Sequence, residues 1–193
     1  MTVEQINALR EALIENAIAL IADADLLYEN GRLARAYSIA ILATEEMSKL
    51  PILLHCLEEL DAGSEPNWAD VGEFLASHYG KLMMNELYFA TQRSANGLDA
   101  TGSKQWQDAV KAAKDRNARK QSGFYVNVEA GSVVTPAVAV PREQAKFALG
   151  LARITFNMME LVNRAFTLRQ HEPQAKVDIN FRYSFTDPPL AEG

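Results

Sequence analysis

Cysteine is nearly absent from the 193 residues. Cys56, flanked by His55 and Leu57, is the only one, so an intrachain disulfide is excluded and no paired-cysteine zinc pattern exists. No run approaches the ~20 apolar residues that a membrane span requires. The opening MTVEQINALREALIEN mixes acidic, basic and apolar side chains in helical order, unlike the basic start and unbroken apolar stretch of a signal peptide. A cytoplasmic protein with no membrane partner is the simplest expectation. Histidine is scarce, and none of the three follows a glutamate by three positions, so the Glu-x-x-His pairs of a di-metal carboxylate bundle are missing. No metal or cofactor is expected. Positive charge is also short: the net charge of −6 disfavours broad electrostatic binding to nucleic acid, gives no DNA signal and leaves only a local basic patch open. There is no internal repeat.

What is present is helical. With 48% hydrophobic and 23% charged residues, the chain can bury a sizeable core. One helical-bundle domain is expected over 1–170, with a C-terminal arm or tail over 171–193. Helix one runs from Thr2 or Val3 to Tyr28, because Ile6, Leu9, Leu13, Ala17, Leu20, Ala24 and Leu27 recur at spacings of three and four, and Asn30-Gly31 ends it. Helix two covers Leu33 to Leu60, kinked or broken at Pro51, whose missing N–H leaves the carbonyl of Met47 unpaired. After the loop DAGSEPNW, helix three runs from Trp68 or Ala69 to Ser94, and helix four from Ser103 to Gln121. In GFYVNVEAGSVVTP, β-rich runs flank Ala130-Gly131, which predicts a small hairpin or an ordered loop. Helix five starts at Pro141 and continues to Gln170 with Phe147, Leu151, Ile154, Met158, Leu161, Ala165 and Leu168 inward. In the arm, Ile179, Phe181, Tyr183 and Phe185 alternate with polar residues, as in a strand that docks on the bundle or on a second subunit.

Charge falls where core is expected. On a helical wheel, Arg35, Ser38, Glu45, Glu46 and Lys49 share one side of helix two. One reading is a solvated stripe with Glu45 and Lys49 as an i,i+4 pair. The other is a cleft lining, because the same side continues into Ile52, Leu53 and Cys56. His78 projects from an apolar face of helix three beside Lys81 and Asn85, either as a hydrogen-bonded core residue or as a catalyst. Helix four aims Asn117 and Lys120 to the side of Trp106, Val110 and Ala113, with Arg116 at its edge. An acid, imidazole and cation cluster around one cleft explains all three helices together. Residues 104–121 also carry six Lys or Arg, Arg119 among them, against two Asp: a soluble surface or a phosphate-binding edge.

Four stretches in order, YENGRLARAYSIAILATEEMSK, the SHYGK around His78, KQSGFYVN from Lys120 and GSVVTP before helix five, resemble the AbiV family of bacterial abortive-infection proteins, within the wider HEPN group. The resemblance implies an all-α, HEPN-like antiparallel bundle, here of about five helices, with frequent homodimerisation and a role in phage defence. Many HEPN proteins are metal-independent ribonucleases, with a signature of an arginine, a polar residue and a histidine four to six positions beyond the arginine. Arg116-Asn117 matches the opening of that signature, but Gln121 and Ser122 occupy the place of the histidine.

The enzyme reading therefore takes its histidine from helix three. His78 is base or acid, oriented by Glu45 or Glu46, with Arg116 and Asn117 completing the catalytic set and Lys81, Arg119, Lys120 and Tyr125 binding RNA phosphate. The alternative is a non-catalytic protein acting on a partner protein or on the translation machinery, its inward charges fixing helix register. A homodimer is expected in either case, from the aromatic arm and the inward charges.

Overall fold

The computed structural model describes residues 1–93 and 104–171. The arm beyond residue 171 and the break ANGLDATG lie outside them. The described residues form an all-α bundle with one two-stranded hairpin: α1 (Val3–Glu29), α2 (Leu33–Met47), α3 (Leu50–Asp61), α4 (Trp68–Ala76), α5 (His78–Arg93), α6 (Lys104–Ser122), β1 (Asn127–Glu129), β2 (Ser132–Val134), α7 (Pro136–Ala139) and α8 (Arg142–His171). None of these helices is long and apolar enough to cross a membrane.

Local chemistry sets the boundaries. Thr2 and Gln5 close a reciprocal capping box on α1, and Gly31 takes the left-handed conformation, φ +71°, that turns the chain back into α2. The bend expected at Pro51 is a break that falls earlier, at Ser48 and Lys49. The Ser48 hydroxyl donates 2.7 Å to the carbonyl of Thr44, a back-bond that loosens the last turn of α2, and Pro51 sits in the first turn of α3, where an N–H is not needed. Helix three is likewise two helices, because Ser77 is extended, φ −75° and ψ 110°. Its hydroxyl accepts from the Gly80 N–H at 2.9 Å and so caps α5. Pro141 lies one residue ahead of α8, its carbonyl accepting from Gln144 and Ala145 at 3.1 and 3.2 Å. Two breaks and the short α7 account for eight helices where about five were expected.

The hairpin is present, with Asn127 opposite Val134 and a two-residue turn in which Ala130 and Gly131 both have positive φ.

The bundle is organised around α2, which is buried along nearly its whole length, from Ala34, Ala36 and Tyr37 to Met47. At one end Tyr37, Ile41, Leu82, Ala113, Ala148 and Ala152 form a core. At the other, Ile6, Leu13, Met47, Leu53, Leu57 and Met159 form a second. The inward face of α8 differs from expectation. Met158 and Ala165 are buried, but Ala145, Ala148, Ala152 and Thr155 are buried beside them, small residues that let α8 pack closely in a bundle where it lies along α2. Phe147, Leu161 and Leu168 are exposed, at 61, 40 and 50%.

Candidate functional site

The cluster anticipated from three helices exists, with partly different pairings. Glu45 on α2 is 1% exposed. One carboxylate oxygen accepts from Lys120 Nζ of α6 at 2.5 Å, and the other lies 2.5 Å from His78 Nδ1 of α5. Lys120 is 2% exposed, whereas the His78 side chain is 54% exposed. With Nδ1 held by a buried carboxylate, the solvent-facing edge of the ring is the one that carries Nε2. His78 is also the first residue of α5, so the positive end of that helix lies toward the Glu45 carboxylate.

Glu46 does not join Glu45. Its carboxylate pairs with Lys49 at 2.6 Å and accepts from Asn16 of α1 at 3.2 Å, which replaces the expected Glu45–Lys49 pair. Three residues apart, the two side chains are ordinary neighbours on a helix surface. Lys81 is buried and donates to the carbonyl of Leu75 at 3.0 Å. Burial holds its ammonium below the ordinary lysine range, the charge on Lys49 pushes further the same way, Glu45 and Glu46 oppose, and Lys120 adds a small push downward. The ammonium groups of Lys49, Lys81 and Lys120 thus face the two carboxylates of Glu45 and Glu46, one positive charge more than negative.

The other sequence candidates lie apart from this cluster. Arg116 pairs with Glu86 of α5 and stands 5.7 Å over the ring of Phe147. Burial pushes the Tyr37 hydroxyl above its ordinary range, and the charge of Arg119 opposes that push. Asn117 leaves its side-chain oxygen buried without a hydrogen-bond partner among the described residues. Tyr125 is 61% exposed on the chain leaving α6.

Two positioning elements escaped the sequence reading. The Ser38 hydroxyl lies 2.8 Å from the carbonyl of Lys120 and 3.1 Å from that of Ala34, tying α6 to α2. Gly123 makes this approach possible: a Cβ there would meet Ser38 Oγ at 2.1 Å and the Ala34 carbonyl oxygen at 2.6 Å. A glycine directly after a basic helix end was the available signal. The second is Ser77. Ser77→Ala is expected to lower stability by about 1 kcal/mol, the usual loss of a cap, and to loosen the first turn that carries His78. Urea unfolding checks the first, and the hydrogen-exchange rate of the Gly80 amide checks the second.

Set against known proteins, the sequence matches one family model over most of its length: HEPN_AbiV, described as AbiV, at residues 5–156. No curated protein and no solved structure matches.

Proposed function

The chain belongs to the AbiV family, and from that premise we propose that this abortive-infection protein cleaves RNA at the His78 cluster. One observation carries the reading. A purely structural network would bury its histidine, but here a fully buried carboxylate holds the inner nitrogen of a ring that is half exposed. That is the arrangement of an oriented general base. Nε2 takes the proton of a ribose 2′-OH, the 2′-oxygen attacks phosphorus, and the P–O5′ bond breaks. The products are a 2′,3′-cyclic phosphate and a 5′-hydroxyl protonated by water. The surplus positive charge of Lys49, Lys81 and Lys120 favours the phosphate as its negative charge builds. A homodimer is part of the same proposal.

One feature favours a binding role instead: Gln121 and Ser122 stand where a histidine would follow Arg116-Asn117. Expression of wild type and His78→Ala in a bacterial host, with growth and RNA integrity measured together, separates the two readings. Cleavage by wild type, falling by roughly a hundredfold or more in His78→Ala as loss of a general base does, supports the enzyme. Growth arrest with intact RNA would overturn it.

A further inference from the structure

On α8 the apolar residues Phe147, Ile154, Leu161 and Leu168 recur every seven positions, with Leu151, Met158 and Ala165 between them. This three–four alternation is the pattern of a helix that packs along a second helix. Half of the seam is already used: Met158 and Ala165 are buried in the bundle. The other half is not. Phe147, Leu161 and Leu168 are exposed, and Ile154 is half-buried between them.

We infer that this stripe of α8 is the contact between two copies of the chain, packed antiparallel about a two-fold axis near Asn157. The inference rests on the homodimer proposed above and gives it a surface. Three observations choose a second copy as the occupant. First, the stripe runs from Phe147 to Leu168, about 32 Å of helix, long enough for a helix-on-helix seam. Second, its positions, Phe147, Gly150, Leu151, Ile154, Asn157, Leu161 and Leu168, carry no charge, and charge stays at its edges, in Lys146 and in the Glu160–Arg164 and Arg153–Asp25 pairs. Two identical faces of a chain with net charge −6 therefore meet here along an uncharged stripe. Third, Gly150 sits inside α8 beside the stripe with nothing within 4 Å of the position its Cβ would take. Glycine inside a helix costs about 0.5–1 kcal/mol relative to alanine, and the chain's own packing has no use for the space. A partner helix does, because small residues let two backbones approach.

In the antiparallel arrangement Phe147 meets the partner's Leu168, and Ile154 meets the partner's Leu161. The seam begins at the ring on which Arg116 lies, so the second copy borders the basic helix α6.

Two variants of the full chain test this. Asn157 is exposed and close to the proposed axis, so Asn157→Cys should form a reducible covalent dimer under mild oxidation. The native Cys56 is buried and does not compete. Glu15→Cys, exposed on α1, is the control and should stay uncrosslinked. Leu161→Lys should weaken self-association by at least about tenfold in light scattering, because the ammonium would have to be desolvated in an apolar contact. If wild type is a monomer at all concentrations, the homodimer itself is wrong. If wild type is a dimer but Asn157→Cys does not crosslink, the homodimer stands and this surface is overturned. The crosslink decides even if Leu161→Lys fails to fold.

Discussion

Glu45→Ala is expected to destabilise the protein by about 3 kcal/mol, the cost of stranding one member of a buried ion pair. The carboxylate is the ion-pair partner of Lys120, whose ammonium is all but inaccessible to water. Removing it leaves a cation that must lose its proton, draw water inward or force α6 away from α2. Glu46→Ala is the internal comparison. Its partner Lys49 is 17% exposed, so the loss should stay under about 1 kcal/mol. Urea unfolding of the two variants separates adjacent residues of identical chemistry, and equal, negligible effects would refute the buried network. Glu45→Gln refines the result. It keeps the shape and one acceptor oxygen but not the charge, so its shortfall from wild type measures the ionic part.

Among the described glycines, Gly123 is the one where an added Cβ meets backbone closest, so Gly123→Ala should be strongly destabilising. The new Cβ would fall well inside contact distance of both Ser38 Oγ and the backbone oxygen of Ala34. The hydroxyl can rotate away, but the backbone of α2, packed on both sides, cannot. Overpacking of this kind costs about 1–3 kcal/mol, and the relief available is for the end of α6 to lift. That movement would break the Ser38–Lys120 hydrogen bond and carry Lys120 away from Glu45. Stability and activity should therefore fall together, and Gly123→Ala/Ser38→Ala should recover only part of the stability, since Ala34 remains in the way. A variant indistinguishable from wild type by urea unfolding would contradict the close approach.

Patterns local to the chain were legible in the sequence. The spacing of Ile6, Leu13, Ala17 and Ala24, the turn at Asn30-Gly31 and the hairpin at Ala130-Gly131 each depend on a few neighbouring residues, and each is where it was expected. The inward placement of Glu45 and Lys120 was legible for the same reason, since each shares a helix side with core residues. Choices between partners were not. Glu45 has Lys49 four residues away and Lys120 seventy-five away, and only the docking of α6 decides for Lys120. Helix α8 misled in another way, because it is apolar on two faces. The large side chains marked one of them, whereas the bundle uses the one built from alanines, where backbone proximity matters more than side-chain volume. At Ser77, propensity reads through the break, because the residues on both sides favour helix and the cap works only once the chain has turned.

The three groups of the cluster come from chain positions 33 and 75 residues apart from Glu45, and this governs when the cluster can form. During synthesis at about 5–20 residues per second, α2 exists for roughly 4–15 s before Lys120 is made. Until then Glu45 lacks the Lys120 ammonium that closes its buried pair, so α2 cannot complete its burial at the centre of the bundle. Its complete burial is a late event, coupled to the arrival of α6, although α2 lies near the start of the chain. Whatever the cluster acts on in the cell, a ribosome-bound chain shorter than 120 residues does not yet possess it.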